Sequence, residues 1–98
     1  MVLAITNKNP NRMKITSRTD RENFTMVAIL KQLEIAGVDP KVLTEDQHWF
    51  NNNTISPEKV EEWKQWFIAE ARKTFKLTKG KAEKEFSWFH LSYGLREI

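Results

Sequence analysis

The chain has 98 residues, of which 40% are hydrophobic and 30% charged, a balance typical of a folded protein rather than a disordered one. It contains no cysteine, which excludes disulfides, thiolate metal sites and cysteine nucleophiles. Its net charge of +3 indicates an acidic partner only if the positive residues cluster. A chain of this length predicts one small globular domain over residues 1–98.

The N-terminal residues predict a β-hairpin. Residues 1–6 are apolar and β-prone, residues 12–17 alternate polar and apolar side chains, and residues 7–11 form a turn-rich segment. Because a lone hairpin is marginally stable in water, we expect it to pack on a helix. The apolar start is too short for a signal peptide or a membrane span, so we expect a cytoplasmic protein with no membrane association.

Three long segments predict helices, over residues 20–36, 57–75 and 79–93. The first begins after a capping residue, Thr19 or Asp20, and ends at Gly37. It is apolar around most of its circumference, which predicts a central position. The polar residues that leave it a small solvent face are Thr25, Lys31, Gln32 and Glu34.

The remaining helix boundaries are also marked in the sequence. Ser56 followed by Pro57 is a strong start signal for the second helix. The third opens near Thr78 and stops at Gly94, which is placed for a left-handed cap. Between Val38 and Asn53 we expect one turn and then a short helix through Trp49-Phe50, ended by the three asparagines 51–53.

Together these segments predict an α+β fold, mainly α. An N-terminal β-hairpin packs on a three- to four-helix domain, in the order β-β-α-α-α-α. The three long helices should share one core. The residues expected inside it are Ile5, Ile15, Val27, Leu30, Leu33, Val60, Trp63, Phe67, Phe86 and Phe89.

Aromatic residues crowd the last two helices and suggest a binding surface. Trp63 follows the apolar stripe of residues 60, 67 and 71 and is expected in the core. Trp66 and Trp88 fall at the edges of their stripes, which leaves either a core or an interface position open. If both are exposed, they form an apolar patch suited to a protein partner.

The turn between those two helices is strongly basic. Lysines in the first turn of a helix are locally unfavourable unless an anion neutralises them, and free backbone N–H groups there also favour an anion. The segment 72–84 therefore predicts a phosphate-backbone site in a helix-turn-helix-like arrangement, with ordinary solvated lysines as the alternative. Its positive residues are Arg72, Lys73, Lys76, Lys79, Lys81 and Lys84.

No catalytic, metal or cofactor site is expected. The only histidines, His48 and His90, have no carboxylate or second histidine at ligand spacing on one of the three long predicted helices. Gly80 stands alone, without the further glycines of a phosphate-binding loop. The acidic residues of the second helix are better explained as a solvated face than as a hydrolytic pair. We therefore expect a protein that is not an enzyme.

The aromatic segments Trp63…Trp66-Phe67 and Glu85-Phe86-Ser87-Trp88-Phe89…Leu91-Ser92-Tyr93-Gly94-Leu95 resemble small accessory proteins of large tailed bacteriophages. The resemblance covers roughly the C-terminal half. Many such proteins that are understood bind a host protein or a nucleic acid and change its behaviour. The resemblance thus implies a viral accessory protein in the host cytoplasm, and it carries over no functional residue.

The leading functional hypothesis is a non-enzymatic protein that binds a protein partner through Trp66 and Trp88. The alternative is a nucleic-acid-binding protein that uses the basic segment 72–84. A self-associating structural subunit is a third hypothesis, and the sequence does not determine the oligomeric state.

Overall fold

The computed structural model describes residues 18–98, and the predicted hairpin, with Ile5 and Ile15, lies outside this range. The described part is mainly helical, with a small two-stranded sheet. The helices are α1 (Arg18–Ala36), α2 (Val42–Glu45), α3 (Trp49–Asn52), α4 (Pro57–Phe75) and α5 (Lys79–Tyr93); the strands are β1 (Thr54–Ile55) and β2 (Arg96–Glu97). The three long helices are confirmed, as is the mainly α class.

Local capping explains where α4 and α5 begin and where α1 ends. The predicted cap of α1 was wrong, because α1 begins at Arg18 and so already includes Thr19 and Asp20. Ser56 caps α4 by accepting a hydrogen bond from the Lys59 N–H, and Thr78 caps α5 in the same way. At the end of α1, Gly37 has a φ of +78°, and the N–H of Val38 bonds to the carbonyl of Leu33. This is the left-handed turn that glycine adopts without strain.

Gly94 ends α5 differently from the prediction. Its backbone is extended (φ −73°, ψ 144°) rather than left-handed, and its N–H bonds to the His90 carbonyl. A Cβ on Gly94 would lie 2.5 Å from the His90 carbonyl oxygen. Glycine is needed here because of this close approach, after which the chain continues directly into β2.

The segment between α1 and α4 contains two short helices instead of the single one predicted. Asp46 separates them: its carboxylate accepts hydrogen bonds from the His48 N–H (2.9 Å) and the Asn52 side chain (2.8 Å). These two hydrogen bonds lower the pKa of the Asp46 carboxyl from its ordinary value, and the bond from the Asn52 amide has the larger effect. Asn51 and Asn52 lie within α3, and the helix ends at Asn53, whose side chain bonds back to the Trp49 carbonyl.

The two strands form a parallel pair that the sequence did not predict. Thr54 lies opposite Arg96 and Ile55 opposite Glu97, so the chain just before α4 pairs with the chain just after α5. The N–H of Ile98 extends the pairing by bonding to the Ile55 carbonyl at 3.1 Å. The pair thereby holds the C-terminal residues against the start of the helical hairpin that α4 and α5 form.

One cluster of buried side chains joins α1, α4 and α5 with Ile55 of β1 and with Leu95, the residue before β2. Five of the residues predicted for the core are buried and Val60 is partly buried against it. The five are Leu33, Trp63, Phe67, Phe86 and Phe89.

The prediction was wrong for one face of α1. Val27 and Leu30 are 51% and 40% exposed, because α1 turns Ala28, Ile29 and Leu33 toward α4 and α5 instead. Gln32, assigned to the solvent face, is completely buried on that inner side. The reason is that a helix apolar on most sides has several possible inner faces, and its neighbours select one.

Candidate functional site

Trp88 is the most exposed of the tryptophans in the described chain. It is 61% exposed, although its neighbours in α5, Phe86 and Phe89, are buried against Trp63 and Phe67. Leu91, three residues further along the same side of the helix, is 86% exposed. Their exposure leaves the outer side of α5 with two large apolar side chains facing solvent.

Trp66 lies in a different environment. Its ring stacks on Phe24 of α1, with centroids 6.3 Å apart and an interplanar angle of 9°, and it is partly buried against the core. Lys31 Nζ lies 6.0 Å from the Trp66 ring centroid, within cation–π range. Within residues 18–98 no ring contact joins Trp66 to Trp88, so the structure does not gather the two predicted binding residues into one aromatic pair.

A small apolar cavity of about 40 Å³ opens beside Trp88, between α1 and the helical hairpin. It exceeds the roughly 10–15 Å³ that a single water needs and is far smaller than the ~150 Å³ of a cavity that binds benzene. An ion pair lies at its edge, with Arg21 Nη1 3.9 Å from Glu85 Oε1. The apolar residues around it are Phe24, Phe67, Ala71, Phe75, Leu77, Trp88 and Phe89.

The basic turn joins α4 to α5, and its backbone has one unexpected feature. All six of its cations are exposed: Arg72, Lys73, Lys76, Lys79, Lys81 and Lys84. Lys76, directly after α4, has a φ of +60°, a left-handed conformation uncommon for a residue with a side chain. This sharp change of direction lets the chain pass from α4 into α5 within the residues Lys76, Leu77 and Thr78.

The structure brings three of these cations together. Arg72, Lys73 and Lys76 surround a shallow, open depression whose floor includes Leu77. Lys73 Nζ also pairs with Glu70 at 3.5 Å, whereas no carboxylate of the described chain lies within ion-pair distance of Arg72 or Lys76. Lys79, Lys81 and Lys84 lie on α5 and do not border this depression.

The histidines have structural surroundings. His90 stacks on Phe86 at 5.7 Å and meets the edge of Trp63 at 6.1 Å, on the margin of the core. Over the described range no three histidine, aspartate or glutamate side chains converge as metal ligands. No helix in that range has the length and apolar character to cross a membrane.

The sequence did not indicate that Leu77 and Phe24 line the cavity beside Trp88. Leu77 is the only apolar residue between the two C-terminal helices, which is the one signal that could have marked it. Phe24 lies more than forty positions from the residues that it contacts, so no local pattern relates them.

Comparison with protein-family models, curated proteins and solved structures gave no match to this chain.

Proposed function

We propose that this chain is a small non-enzymatic protein that binds and modulates a protein partner through α4 and α5, with Trp88 as the main anchor. The exposure of Trp88 is the observation that carries the proposal. Tryptophan is enriched among the few residues that dominate binding energy at protein interfaces. A viral accessory role in the host cytoplasm, implied by the resemblance to phage accessory proteins, is part of the same proposal.

The surroundings of Trp88 support an interface rather than an isolated exposed ring. Met26 of α1, itself 49% exposed, lines a second shallow depression together with Trp88. With Leu91 on the same side of α5, the apolar surface therefore extends over two helices. Contiguous apolar surface of this kind is typical of protein interaction sites. Trp66 contributes indirectly in this proposal, because its stacking on Phe24 holds α1 against α4.

Affinity capture from a cell extract tests the role of Trp88. We expect Trp88→Ala to reduce recovery of the partner at least tenfold, and Leu91→Ala to reduce it less. Ile98→Ala is the matched control, because Ile98 is an apolar side chain that is 80% exposed and lines neither the cavity nor the depression beside Trp88. If Trp88→Ala and Ile98→Ala recover the partner equally well, the anchor lies elsewhere.

Nucleic-acid binding is the second candidate function, and it is favoured by the convergence of Arg72, Lys73 and Lys76 at one open depression. Lys79 and Lys81 would add contacts from the first turn of α5. Four phosphate contacts give a slope of about −3.6 in a plot of log affinity against log salt on duplex DNA.

Fluorescence anisotropy with labelled single-stranded DNA, duplex DNA and RNA measures that slope. Micromolar binding that weakens steeply with salt and is lost on changing Arg72, Lys73 and Lys76 to Glu supports the second candidate. Lys59→Glu is the control, since Lys59 is an exposed lysine at the opposite end of α4. Absence of binding at low salt contradicts this candidate.

A further inference from the structure

Leu77 borders both the apolar cavity and the basic depression. On one side it lines the cavity with Phe24, Phe75 and Trp88. On the other it lines the open depression with Arg72, Lys73 and Lys76. The linings of the two sites therefore share Leu77, and a ligand that lies across this residue meets an apolar recess and a cationic surface at once.

We infer that the partner element is an acidic peptide segment that places one aliphatic side chain in the cavity and a carboxylate against Arg72 and Lys76. The inference rests on the proposed protein-binding function and specifies the chemistry of the partner. It names the site as the surface around Leu77, with Trp88 at one edge and Arg72 at the other.

The volume of the cavity determines which anchor it accepts. About 40 Å³ is too little for an aromatic ring, for which a cavity of roughly 150 Å³ is known to suffice, but it admits the end of an aliphatic side chain. Its surroundings include the side chains of Phe67, Phe75 and Phe89, all of them buried and apolar. Seven of the ten residues that line the cavity are apolar, so burying a polar group there costs more than burying an apolar one, and an apolar anchor is favoured.

The charges around Leu77 determine what flanks the anchor. Arg72 and Lys76 have no carboxylate partner among residues 18–98, while Lys73 already has Glu70. Both free cations are exposed, so a carboxylate reaches them without being buried. An arginine guanidinium can bind a carboxylate through two parallel hydrogen bonds, which favours a Glu or Asp side chain as its partner.

The spacing of the two features favours a short peptide motif. Because Leu77 lines both sites and an extended chain advances roughly 3.3 Å per residue, we expect the acidic residue within one to three positions of the aliphatic residue. A nucleic acid supplies the negative charge but presents no flexible aliphatic group at that distance from its phosphates. The combination of cavity and charge therefore favours a peptide over a nucleic acid.

Nuclear magnetic resonance titration of the whole chain with a synthetic peptide tests this inference. The probe is a nine-residue peptide with a central leucine and glutamates on both sides, added up to millimolar concentration to ¹⁵N-labelled protein. We expect chemical-shift changes at Leu77, Lys76 and the Trp88 indole N–H. A probe with serine in place of leucine, and another with glutamines in place of the glutamates, should each bind at least tenfold more weakly.

Protein variants locate the two contacts separately. Arg72→Gln combined with Lys76→Gln should weaken binding of the acidic peptide at least fivefold, while Lys59→Gln, at the other end of α4, should leave it unchanged. Ala71→Val narrows the cavity from its wall and should weaken binding of the leucine peptide. If Ala71→Val does not fold, the comparison of leucine and serine probes still tests the cavity.

Three results would overturn the inference. They are equal affinities for the leucine and serine probes, no shift at millimolar peptide, and the same shifts from an oligonucleotide that binds more tightly than the peptide. The proposed function fails by a different measurement, the recovery of a partner by Trp88→Ala. If recovery depends on Trp88 but not on Arg72 and Lys76, the function stands and the acidic-peptide inference is wrong.

Discussion

The side chain of Gln32 holds the end of the chain against α1 through the backbone of Leu95. Its Oε1 accepts a hydrogen bond from the Leu95 N–H at 2.8 Å, and its Nε2 donates to the Tyr93 carbonyl at 3.1 Å. Gln32 is fully buried and Leu95 nearly so. One amide thus satisfies two backbone groups where α5 ends, and it fixes the position from which β2 begins.

Replacing Gln32 with Leu tests this clamp. The change keeps a side chain of similar size but leaves the Leu95 N–H and the Tyr93 carbonyl without their side-chain partner. A buried polar group without a partner costs about 1–3 kcal/mol, so we expect Gln32→Leu to lower the free energy of unfolding by about 2–4 kcal/mol. Urea denaturation followed by tryptophan fluorescence measures the change.

Gln65→Leu is the matched control for that experiment. Gln65 is exposed on α4, and its side chain donates a hydrogen bond to the nearby Glu61 carboxylate at 2.6 Å. We expect this variant to differ from the parent chain by less than about 0.5 kcal/mol, as is usual for surface positions. Equal effects of the two substitutions would show that the Gln32 bonds do not contribute specifically.

Gln32→Glu should make stability depend on pH. A protonated Glu can donate to the Tyr93 carbonyl and accept from the Leu95 N–H, whereas an ionised one has no donor and is buried. Burial and the nearby carbonyl therefore raise the pKa of the new carboxyl in the folded state above its unfolded value of about 4.3. Since the folded state then holds the proton more tightly, its stability falls as pH rises from about 4.3 through the folded pKa.

The measurement is the difference in unfolding free energy between Gln32→Glu and the parent chain at pH values from 4 to 7. Taking the difference removes the titration of groups that the two proteins share. We expect the deficit to be small near pH 4 and to grow toward pH 7. A deficit that does not change with pH would mean that the carboxylate reaches water and that the site opens.

The contrast between Gln32 and the helix boundaries shows what the sequence could predict. Ser56, Thr78 and Gly37 act on backbone groups within a few residues, so local rules located the helices that they bound. Gln32 acts on residues more than sixty positions away, and nothing near it distinguishes a buried amide from a solvated one. The strands β1 and β2, two residues each, likewise exist only because tertiary packing brings them together.

The candidate site divides in the same way. Its cations were predictable because they cluster within residues 72–84 of the sequence and charged residues are usually exposed. The cavity beside Trp88 was not, because its walls come from α1, α4 and α5. The left-handed conformation of Lys76 also lacks a sequence signal, since glycine or asparagine is the usual residue there. Trp66 and Trp88 lie at the edges of their apolar stripes, so their exposure depends on where α1 packs and could not be predicted from the sequence.

Two tryptophans provide a matched test of the assigned core. Trp63 is fully buried and donates from Nε1 to the Ala28 carbonyl at 3.0 Å, whereas Trp88 is mostly exposed. We expect Trp63→Phe to cost about 2–3 kcal/mol through the lost hydrogen bond and lost volume. Trp88→Phe should cost less than about 0.5 kcal/mol. Thermal unfolding monitored by circular dichroism compares the pair, and similar losses would contradict the orientation of α5.

Phe67 tests the same core from α4. Its ring contacts Phe24, Phe86 and Phe89 at centroid distances of 5.1–5.3 Å. We expect Phe67→Ala to lower the unfolding free energy by about 3–5 kcal/mol, the usual range for a buried phenylalanine. A loss below about 1 kcal/mol in chemical denaturation would mean that this face of α4 is wrongly assigned.

Leu30 and Leu33 compare the two faces of α1 with one residue type. Leu33 is fully buried, so Leu33→Ala should cost about 2–5 kcal/mol. Leu30 is 40% exposed, and Leu30→Ala should cost less than about 1 kcal/mol. Urea denaturation of both variants gives the comparison. A cost at Leu30 as large as that at Leu33 would show that another part of the chain or a second molecule covers the outer face of α1.

Two glycines in α5 and at its end should respond to alanine in opposite directions. At Gly94 the added Cβ would meet the His90 carbonyl oxygen at 2.5 Å, a backbone atom that cannot move aside without opening the last turn. We expect Gly94→Ala to cost about 1–3 kcal/mol, the range for a strained close contact. At Gly80 no atom of residues 18–98 lies within 4 Å of the new Cβ, and alanine favours the helix by up to about 1 kcal/mol.

Differential scanning calorimetry on both glycine variants measures these shifts in the unfolding midpoint. The expected pattern is a lower midpoint for Gly94→Ala and an unchanged or higher one for Gly80→Ala. Because Gly94 precedes Leu95, the strain should also weaken the bond between the Leu95 N–H and Gln32. We expect faster amide hydrogen exchange at Leu95 in the Gly94→Ala variant than in Gly80→Ala, because strain at the end of α5 weakens the hydrogen bond to the buried Gln32 amide of α1. Equal exchange in the two variants would show that the strain does not reach this hydrogen bond.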